Sequence, residues 1–239
     1  METDHLESLY IVMPAYNEEE TIAKVVSKWY KVLEGKSESS RLIVADSGST
    51  DRTHALLLEM QSRYPQLVIL DGTLKQHGPK LIAMYRYSYE SNADYVFQTD
   101  SDDQTDPREF DAFWKRRKKY DAILGFRYNR EDGKARVFVE RTVCVLLKLI
   151  FRVSVPDANA PFRLMKTELL GKYVYRFAED YNLPNIMLTT WFSYYGEKLC
   201  FRKISFRPRQ GGTNSINMRK IFKIGLKAIH DFHEFKKEM

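Results

Sequence analysis

Short apolar runs alternate with helix-compatible segments over the first half of the chain, and this alternation restricts the fold more than any other feature. The apolar runs, which we predict to be strands, are residues 9–13, 42–45, 67–70, 94–99 and 121–126. Helices are predicted between them at about 18–33, 52–63, 78–92 and 108–119. Strands and helices that alternate at this spacing form βαβ units around a largely parallel sheet. We therefore predict an α/β fold.

The second half of the chain has a different pattern. Residues 127–135 are expected to form an exposed loop, and 156–163 contain two prolines and cannot be regular helix. Further elements are a basic amphipathic helix at 136–152, a helix at 184–195, a strand at 197–206, a glycine-containing loop at 207–215 and a last helix at 216–236. The net charge is +6, and basic residues gather at 115–119, 127–152 and 202–237. This asymmetry predicts an anionic partner for the second half.

Polar segments directly follow three of the predicted strands, at residues 14–18, 46–51 and 100–104. Because parallel strands end at one edge of a sheet, where α/β proteins bind their ligands, we expect these segments to converge. A carboxylate at a strand end, such as Asp46, can accept a hydrogen bond from a nucleotide base or ribose. Neither GxGxxG nor GxxxxGK[ST] occurs in the sequence, which disfavours Rossmann dinucleotide and P-loop sites.

The third polar segment, Asp100-Ser-Asp-Asp-Gln104, is the most acidic of the three. If it is extended, Asp100, Asp102 and Gln104 share one face, because side-chain direction alternates along a strand. Two carboxylates and an amide oxygen suit a hard divalent cation that remains open to phosphate oxygens. Asp103 would point to the other face and is expected to tolerate alanine. The alternative for this segment is a solvated acidic loop.

The composition is that of an ordinary globular protein, with 44% hydrophobic and 29% charged residues among 239. Two separated cysteines exclude a disulfide framework and favour a reducing compartment. The sequence contains neither a signal-peptide core near its start nor an apolar run long enough to span a bilayer. We therefore expect a cytoplasmic location.

In order and spacing, three segments closely resemble the nucleotide-binding half of family 2 glycosyltransferases, which have the GT-A fold. These segments are Val12-Met-Pro-Ala-Tyr-Asn-Glu18, Asp46-Ser-Gly-Ser-Thr-Asp51 and Asp100-Ser-Asp-Asp-Gln104. The resemblance implies one domain over 1–239, with a nucleotide-sugar half at 8–126, an acceptor half at 127–215 and an amphipathic helix at 216–239. It also implies transfer of a sugar from a nucleotide-diphosphate donor with inversion. The nucleotide-binding residues that it implies are Pro14, Tyr16, Glu18, Asp46, Lys80, Asp100 and Arg209. Asp100, Asp102 and Gln104 would hold Mg²⁺ or Mn²⁺.

The second half resembles the polyprenyl-phosphate subgroup of that family, which includes dolichol-phosphate mannosyltransferases. Its G-x-R is present as Gly125-Phe-Arg127, and its Asp-x-x-x-Gly-Phe-Arg as Asp157-Ala-Asn-Ala-Pro-Phe-Arg163, with Pro161 in place of glycine. The catalytic residues that the resemblance implies are Asp102, Arg127, Arg141, Asp157 and Arg163. Two arginines such as Arg127 and Arg141 can fork onto a phosphate; the alternative for them is a solvated basic face.

Family members that glycosylate sugar hydroxyls carry a Glu-Asp pair, whose Asp is the general base, in the penultimate helix. The corresponding residues 183–191 contain no such pair, although Glu179-Asp180 could be that pair displaced. A phosphate acceptor needs no base, so we predict a metal-dependent inverting hexosyltransferase that acts on a polyprenyl phosphate.

Two alternatives remain. The acceptor could be a saccharide or lipid-linked saccharide hydroxyl in cell-surface polysaccharide synthesis, or the chain could bind a nucleotide sugar without transferring it. A nucleotidyltransferase is disfavoured because residues 14–19 are not a glycine-rich phosphate loop. Nucleic-acid binding is not expected, since acidic residues interrupt the basic ones. The helices at 136–152 and 216–236 could lie on the inner face of an anionic membrane or simply close the core. Oligomeric state is left open.

Overall fold

The fold was obtained as a computed structural model that describes residues 6–128, 134–208, 218–237 and 239, with side chains except those of 134–136 and 218–226. The described strands are β1 (Leu9–Ala15), β2 (Arg41–Asp46), β3 (Leu67–Leu70), β4 (Tyr95–Thr99), β5 (Ala122–Arg127), β6 (Phe162–Lys166) and β7 (Leu199–Ile204). The described α-helices are α1 (Ile22–Tyr30), α2 (Thr53–Gln61), α3 (His77–Glu90), α4 (Phe110–Trp114), α5 (Lys134–Phe151), α6 (Thr167–Tyr173), α7 (Pro184–Tyr194) and α8 (Met218–Lys237). Short 3₁₀ turns occupy Lys31–Leu33, Pro107–Glu109 and Val174–Arg176.

All seven strands belong to one sheet with the order β3-β2-β1-β4-β6-β5-β7. The pairs β3–β2, β2–β1, β1–β4 and β5–β7 are parallel, whereas β6 runs antiparallel between β4 and β5. The α/β prediction with a mostly parallel sheet is therefore confirmed. Strand β6 and helix α6 were not predicted, because Pro156 and Pro161 marked the segment as irregular and hid the short apolar run that follows them.

Apolar side chains are buried on both faces of the sheet. Along β1, Tyr10 and Val12 face one hydrophobic cluster, which α3, α5, α6, α7 and α8 cover. Leu9, Ile11 and Met13 face the other, which α1, α2 and α4 cover. Burial on both faces explains the uninterrupted apolar runs that mark these strands in the sequence. Among the helices that the structure describes, none is long and apolar enough to cross a membrane.

Candidate functional site

The loops after β1, β2 and β4 meet at one edge of the sheet. Ala15 and Asp46 are register partners at the ends of β1 and β2, and Val12 pairs with Gln98 on the other side of β1. Hydrogen bonds join the loops directly, from the Asn17 backbone N–H to Ser49 Oγ (3.0 Å) and from Ser101 Oγ to the Pro14 carbonyl (2.9 Å). The structure thus brings together the three segments that the sequence placed at strand ends.

Asp46 has a buried carboxylate oxygen without a hydrogen-bond donor. Its Oδ1 accepts from Ser49 Oγ, whereas Oδ2 has no hydrogen-bond partner among the described residues. His54 Nδ1 lies 3.4 Å from Oδ2, within ion-pair range but without hydrogen-bond geometry. Leaving a buried polar oxygen unsatisfied is costly, so native proteins seldom do it without a functional reason. A hydroxyl or N–H of a bound ligand would satisfy this oxygen.

Two lysines lie over the ring of Tyr16, which directly follows Ala15, the register partner of Asp46. The Nζ atoms of Lys75 and Lys80 are 4.6 and 5.6 Å from the ring centroid. Lys80 is buried and donates from Nζ to the Ala15 carbonyl at 2.6 Å. Burial lowers the pKa of Lys80 to about 8, with Asp46 opposing the shift and Lys75 adding to it. An aromatic ring and two amines next to an unsatisfied carboxylate can accommodate a nucleoside and its phosphates.

Two other predicted nucleotide-binding residues, Pro14 and Glu18, are buried and bonded to neighbouring protein groups. Pro14 is buried inside β1, and its carbonyl is occupied by Ser101. Glu18 is 5% exposed, and its carboxylate accepts from Thr21 Oγ1 at 3.0 Å just before α1. Both side chains are enclosed by protein, and their assignment to nucleotide binding stays a prediction.

The Asp100–Gln104 segment is not extended, so the strand-like alternation predicted for it is wrong. Strand β4 ends at Thr99, and Asp103 adopts a left-handed backbone with φ of 59°. Asp100 and Asp102 are nevertheless half-buried, whereas residues 101 and 103–106 are buried. The Asp100 carboxylate lies 3.3 Å from His77 Nε2, and Asp102 Oδ1 accepts from the Gln104 backbone N–H at 3.2 Å. These are the two carboxylates of the loop with access to a ligand.

Asp103 points away from these two carboxylates into contacts with helix α1. Its oxygens lie 2.8 Å from Lys24 Nζ and 2.7 Å from Lys28 Nζ. Burial alone would raise the pKa of Asp103, but the two lysines outweigh it and hold the pKa below its usual value. The expectation that Asp103 tolerates alanine is therefore revised, because alanine would lose both lysine contacts and would be strained at positive φ.

Gln104 is buried and holds the chain after β7. Its Nε2 donates to the Arg207 carbonyl at 2.7 Å, and the Arg207 backbone N–H donates back to the Gln104 carbonyl at 2.9 Å. Only the carboxamide oxygen could still reach a metal. Arg209, a predicted nucleotide-binding residue, lies outside the described residues.

The site fits a divalent cation only in combination with a ligand. Asp100 and Asp102 offer hard oxygen donors of the kind that Mg²⁺ and Mn²⁺ bind. Within the part of the chain that the structure describes, no three or more His, Cys, Asp and Glu side chains are grouped as a complete metal site. Phosphate oxygens of a bound nucleotide would supply the missing ligands, which is the usual arrangement for Mg²⁺.

In the acceptor half, Arg127 is bound to two carboxylates. Its Nε and Nη2 donate to the two oxygens of Asp157 at 2.8 and 2.9 Å, and Nη2 lies 3.4 Å from Glu140 Oε2. Burial and the neighbouring Asp157 raise the pKa of Glu140, against the opposing charge of Arg127. Burial would also raise the pKa of Asp157, but its hydrogen bonds to Arg127 bring the pKa below its usual value. Arg127 and Asp157 thus form a close pair, and Glu140 is a third member that the sequence did not reveal.

Arg163 was predicted to act on the substrate, and its position contradicts a direct contact. The side chain is 1% exposed, and its guanidinium donates to the carbonyls of Ala158, Ala160 and Asn185 and to Thr189 Oγ1 at 2.9–3.0 Å. It therefore fastens the segment after Asp157 to α7. Arg141, by contrast, is exposed on α5 and is not brought against Arg127 by any contact in the described residues.

Three residues that the sequence did not single out take part in the site. Glu140 is the only acidic residue among the described side chains of α5, and an isolated acid on an apolar helix face is a signal that could have found it. Asn185 donates from Nδ2 to Gln98 Oε1 at 3.0 Å and so connects α7 to the end of β4. His77 is positioned by the first turn of α3, where Gly78 lets the backbone of Asn182 approach so closely that a Cβ would lie 2.5 Å from it.

Comparison with known proteins gives relatives that use lipid phosphates. Over 225 residues the chain is 21% identical to an undecaprenyl-phosphate 4-deoxy-4-formamido-L-arabinose transferase of Pectobacterium carotovorum, covering 92% of this chain and 66% of that protein. The Pectobacterium atrosepticum protein of the same name is 24% identical over 172 residues, covering 70% of this chain and 51% of that protein. The chain thus spans half to two thirds of the length of these relatives.

Solved structures with the same fold include glucosyl-3-phosphoglycerate synthase from Mycobacterium tuberculosis. Its complex with phosphoglyceric acid superimposes with a TM-score of 0.70 at 17% identity, covering 95% of this chain and 80% of that one. Its complex with Mn²⁺, uridine diphosphate and glucosyl-3-phosphoglycerate gives a TM-score of 0.66 at 19% identity, covering 96% of this chain and 78% of that one. The prediction of a GT-A fold is confirmed by these likenesses.

Residues 10–174, which run from β1 through α6, match the sequence profile of glycosyl transferase family 2. The matched region contains all three strand-end loops together with Arg127, Glu140, Asp157 and Arg163. The chain therefore belongs to glycosyltransferase family 2.

Proposed function

We propose that this protein transfers a sugar from a nucleotide-diphosphate donor to a polyprenyl phosphate. The observation that carries the donor half is the edge of the sheet, where the unsatisfied Asp46 oxygen, the Tyr16 ring and the half-buried Asp100 and Asp102 lie together. Asp46 would accept from the base or ribose, and Lys75 and Lys80 would face the phosphates. A divalent cation held by Asp100 and Asp102 would act as a Lewis acid on the leaving diphosphate.

The acceptor is inferred from the second half. A phosphate oxygen would attack the anomeric carbon while the bond from that carbon to the nucleoside diphosphate breaks, and no general base is needed. Helix α7 carries no acidic residue, Asp180 is exposed, and Glu179 is 85% exposed and pairs with Arg86 at 3.5 Å. This position argues against a displaced Glu-Asp pair. The undecaprenyl-phosphate relatives support the same acceptor class.

A donor and acceptor panel tests this proposal. Radiolabelled uridine and guanosine diphosphate sugars are incubated with undecaprenyl phosphate or with free saccharides, each with Mn²⁺, with Mg²⁺ or with a chelator. We expect metal-dependent label in the lipid fraction only. Label that appears only on saccharide hydroxyls would overturn the choice of acceptor, and the absence of any transfer with a bound nucleotide would favour a binding protein.

One observation favours the saccharide alternative. Glu140 is a carboxyl group with a raised pKa next to Arg127, and its side chain retains 15% exposure. A carboxylate with a raised pKa is a better general base than an ordinary one, as a hydroxyl acceptor would require. Under this alternative, Glu140→Gln abolishes transfer to a hydroxyl, whereas transfer to a lipid phosphate does not need the carboxylate as a base.

Replacing Asp46 with alanine is expected to weaken the binding of the donor's nucleoside diphosphate by about tenfold to a hundredfold, because a hydrogen bond to a charged group is worth about 1.5–3 kcal/mol. Titration calorimetry with a panel of nucleoside diphosphates measures the effect. The melting temperature of the free protein should change little, because the substitution removes a buried oxygen that has no donor along with the hydrogen bond from Ser49 Oγ.

The matched control is Asp71→Ala. Asp71 is 66% exposed just after β3 and lies 4.0 Å from the same histidine, His54. Its loss should leave nucleotide affinity within about twofold of the unmodified protein. Equal affinities for Asp46→Ala and the unmodified protein would refute the assignment of Asp46 to the nucleotide.

A further inference from the structure

The outward side of α5 exposes large apolar side chains that no described part of the protein covers. Phe138, Val145 and Leu149 are 72%, 56% and 73% exposed. Among the side chains of 137–152 that the structure describes, the remaining exposed ones are Arg141, Thr142, Lys148 and Arg152. Side chains of that size on a single helix are rarely left in water without an interaction partner.

The exposed residues are ordered around the helix axis. At about 100° per residue, Phe138, Val145 and Leu149 fall within an arc of about 40° and form an apolar ridge. On the same reckoning Arg141 and Lys148 lie along one flank of that ridge. Arg152 follows the last residue of the helix and adopts a left-handed backbone with φ of 60°. The described exposed side of α5 contains no carboxylate, because Glu140 is turned inward to Arg127. Apolar and basic residues are thus arranged as parallel rows on one surface.

A cleft continues this surface at the C-terminal end of α5. Its volume is about 550 Å³, and it lies between the ends of α5, α7 and α8. Leu149, Arg152, Ser193, Tyr194 and Lys236 are among its lining residues. Lys236 Nζ is 3.3 Å from the Tyr194 hydroxyl, so an amine and a hydroxyl group face the same space as the Arg152 side chain. This combination of donors suits a phosphate group.

We propose that the α5 ridge and the adjoining cleft dock on an anionic phospholipid surface, with the ridge in the headgroup–acyl boundary and a lipid phosphate in the cleft. Rows of apolar and basic residues on one helix face are typical of helices that lie in the membrane interface. A second copy of the chain is a poorer occupant, because it would bring the same three cations together without a carboxylate between them.

This membrane contact rests on the proposed function, because an enzyme that glycosylates a lipid acceptor has to reach that acceptor at a membrane. Helix α5 connects the acceptor half of the site with the proposed membrane surface. Its inward side carries Glu140 against Arg127, and its outward side carries the ridge. Docking through this helix would place the acceptor half of the site next to the lipid headgroups.

Sedimentation with vesicles tests the proposal without donor or polyprenyl phosphate, so its outcome is independent of whether transfer occurs. The unmodified protein should bind vesicles of phosphatidylcholine with phosphatidylglycerol far more tightly than vesicles of phosphatidylcholine alone. Lys148→Gln with Arg152→Gln should lower the partition coefficient about 25-fold at low salt, since each basic residue near an anionic surface contributes about fivefold. Val145→Ser with Leu149→Ser should lower it at least about tenfold at any salt concentration.

Two control variants carry the same changes elsewhere. Leu58→Ser replaces a leucine that is 51% exposed on α2, and Lys115→Gln with Lys119→Gln removes two exposed charges after α4. Both controls should bind like the unmodified protein, and thermal melts verify that all variants fold. Binding that the α5 variants leave unchanged, or that the controls reduce equally, would overturn the proposal. Failure of the unmodified protein to bind either vesicle would also overturn it and would assign the ridge to a protein partner.

Discussion

Replacing Asp102 with asparagine is expected to lower the rate of sugar transfer by roughly two to three orders of magnitude and to leave the melting temperature nearly unchanged. Asparagine keeps the oxygen that accepts from the Gln104 backbone N–H at 3.2 Å, so the loop retains its shape. It loses the negative charge that would hold a divalent cation on the leaving diphosphate, a contribution of several kcal/mol. Initial rates at saturating metal measure the loss of transfer activity. Calorimetric titration of Mn²⁺ in the presence of the nucleotide measures the loss of metal affinity.

Asp103→Asn is the matched control, because it makes the same chemical change one residue along the chain. Asparagine tolerates the positive φ of this position, but the contacts with Lys24 and Lys28 lose their charge. We expect nearly unmodified transfer with a stability loss of about 1–2 kcal/mol, or roughly 3–6 °C in melting temperature. Because the pKa of Asp103 is lowered in the folded protein, this loss should shrink as the pH falls below about 4.

The reverse pattern would refute the assignment of the two carboxylates. If Asp103→Asn abolished transfer while Asp102→Asn only lowered the melting temperature, the metal would have to be held from the α1 side of the loop. The strand-like alternation that the sequence suggested predicts the same two metal-facing carboxylates, Asp100 and Asp102, for a different reason. Only the stability of Asp103→Asn therefore separates the two explanations. An extended loop would leave Asp103 in solvent, and its replacement would then cost almost nothing.

The sequence predicted the parallel part of the sheet and the meeting of the three strand-end loops because both depend on local patterns. Runs such as 9–13 and 42–45 are apolar throughout, as strands buried on both faces must be. The polar residues that follow them are then placed by topology alone. The antiparallel strand β6 depends on the neighbours that it finds in the sheet, and the prolines before it gave no indication of that pairing.

Side-chain roles were harder to predict because they depend on contacts between residues distant in the chain. Arg127 meets Asp157 across 30 residues and Glu140 across 13, and no spacing rule joins them. The contacts of Asp103 with Lys24 and Lys28 were not predicted, because a single left-handed residue redirects the loop after β4. Arginines are also ambiguous in a sequence, since a guanidinium can bind a phosphate or satisfy several carbonyl groups within the protein. The guanidinium of Arg163 donates to carbonyl groups within the protein.

Replacing Arg163 with methionine is expected to destabilise the fold by at least about 3 kcal/mol. Methionine fills a similar length but removes every guanidinium donor. The Ala160 carbonyl loses its hydrogen bond from Nε, and the carbonyls of Ala158 and Asn185, which also lie within hydrogen-bond distance of Thr189 Oγ1, each lose one donor. Each buried carbonyl left unsatisfied costs about 1–3 kcal/mol. Arg163→Lys retains a cation with three N–H donors that lacks the planar fork, so we expect an intermediate loss of about 1–3 kcal/mol.

Urea denaturation followed by circular dichroism measures these losses, with Arg116→Met as the control. Arg116 is exposed and donates to a single carbonyl, that of Ala112, so its replacement should change the free energy of unfolding by less than about 0.5 kcal/mol. If Arg163→Met does not fold, Arg163→Lys still distinguishes the two roles. A lysine variant with normal stability and no transfer would mean that Arg163 contacts the substrate directly. A lysine variant that is less stable but still transfers sugar, once folded, would identify the guanidinium as the fastening between the Asp157 segment and α7, which holds the partner of Arg127 in place.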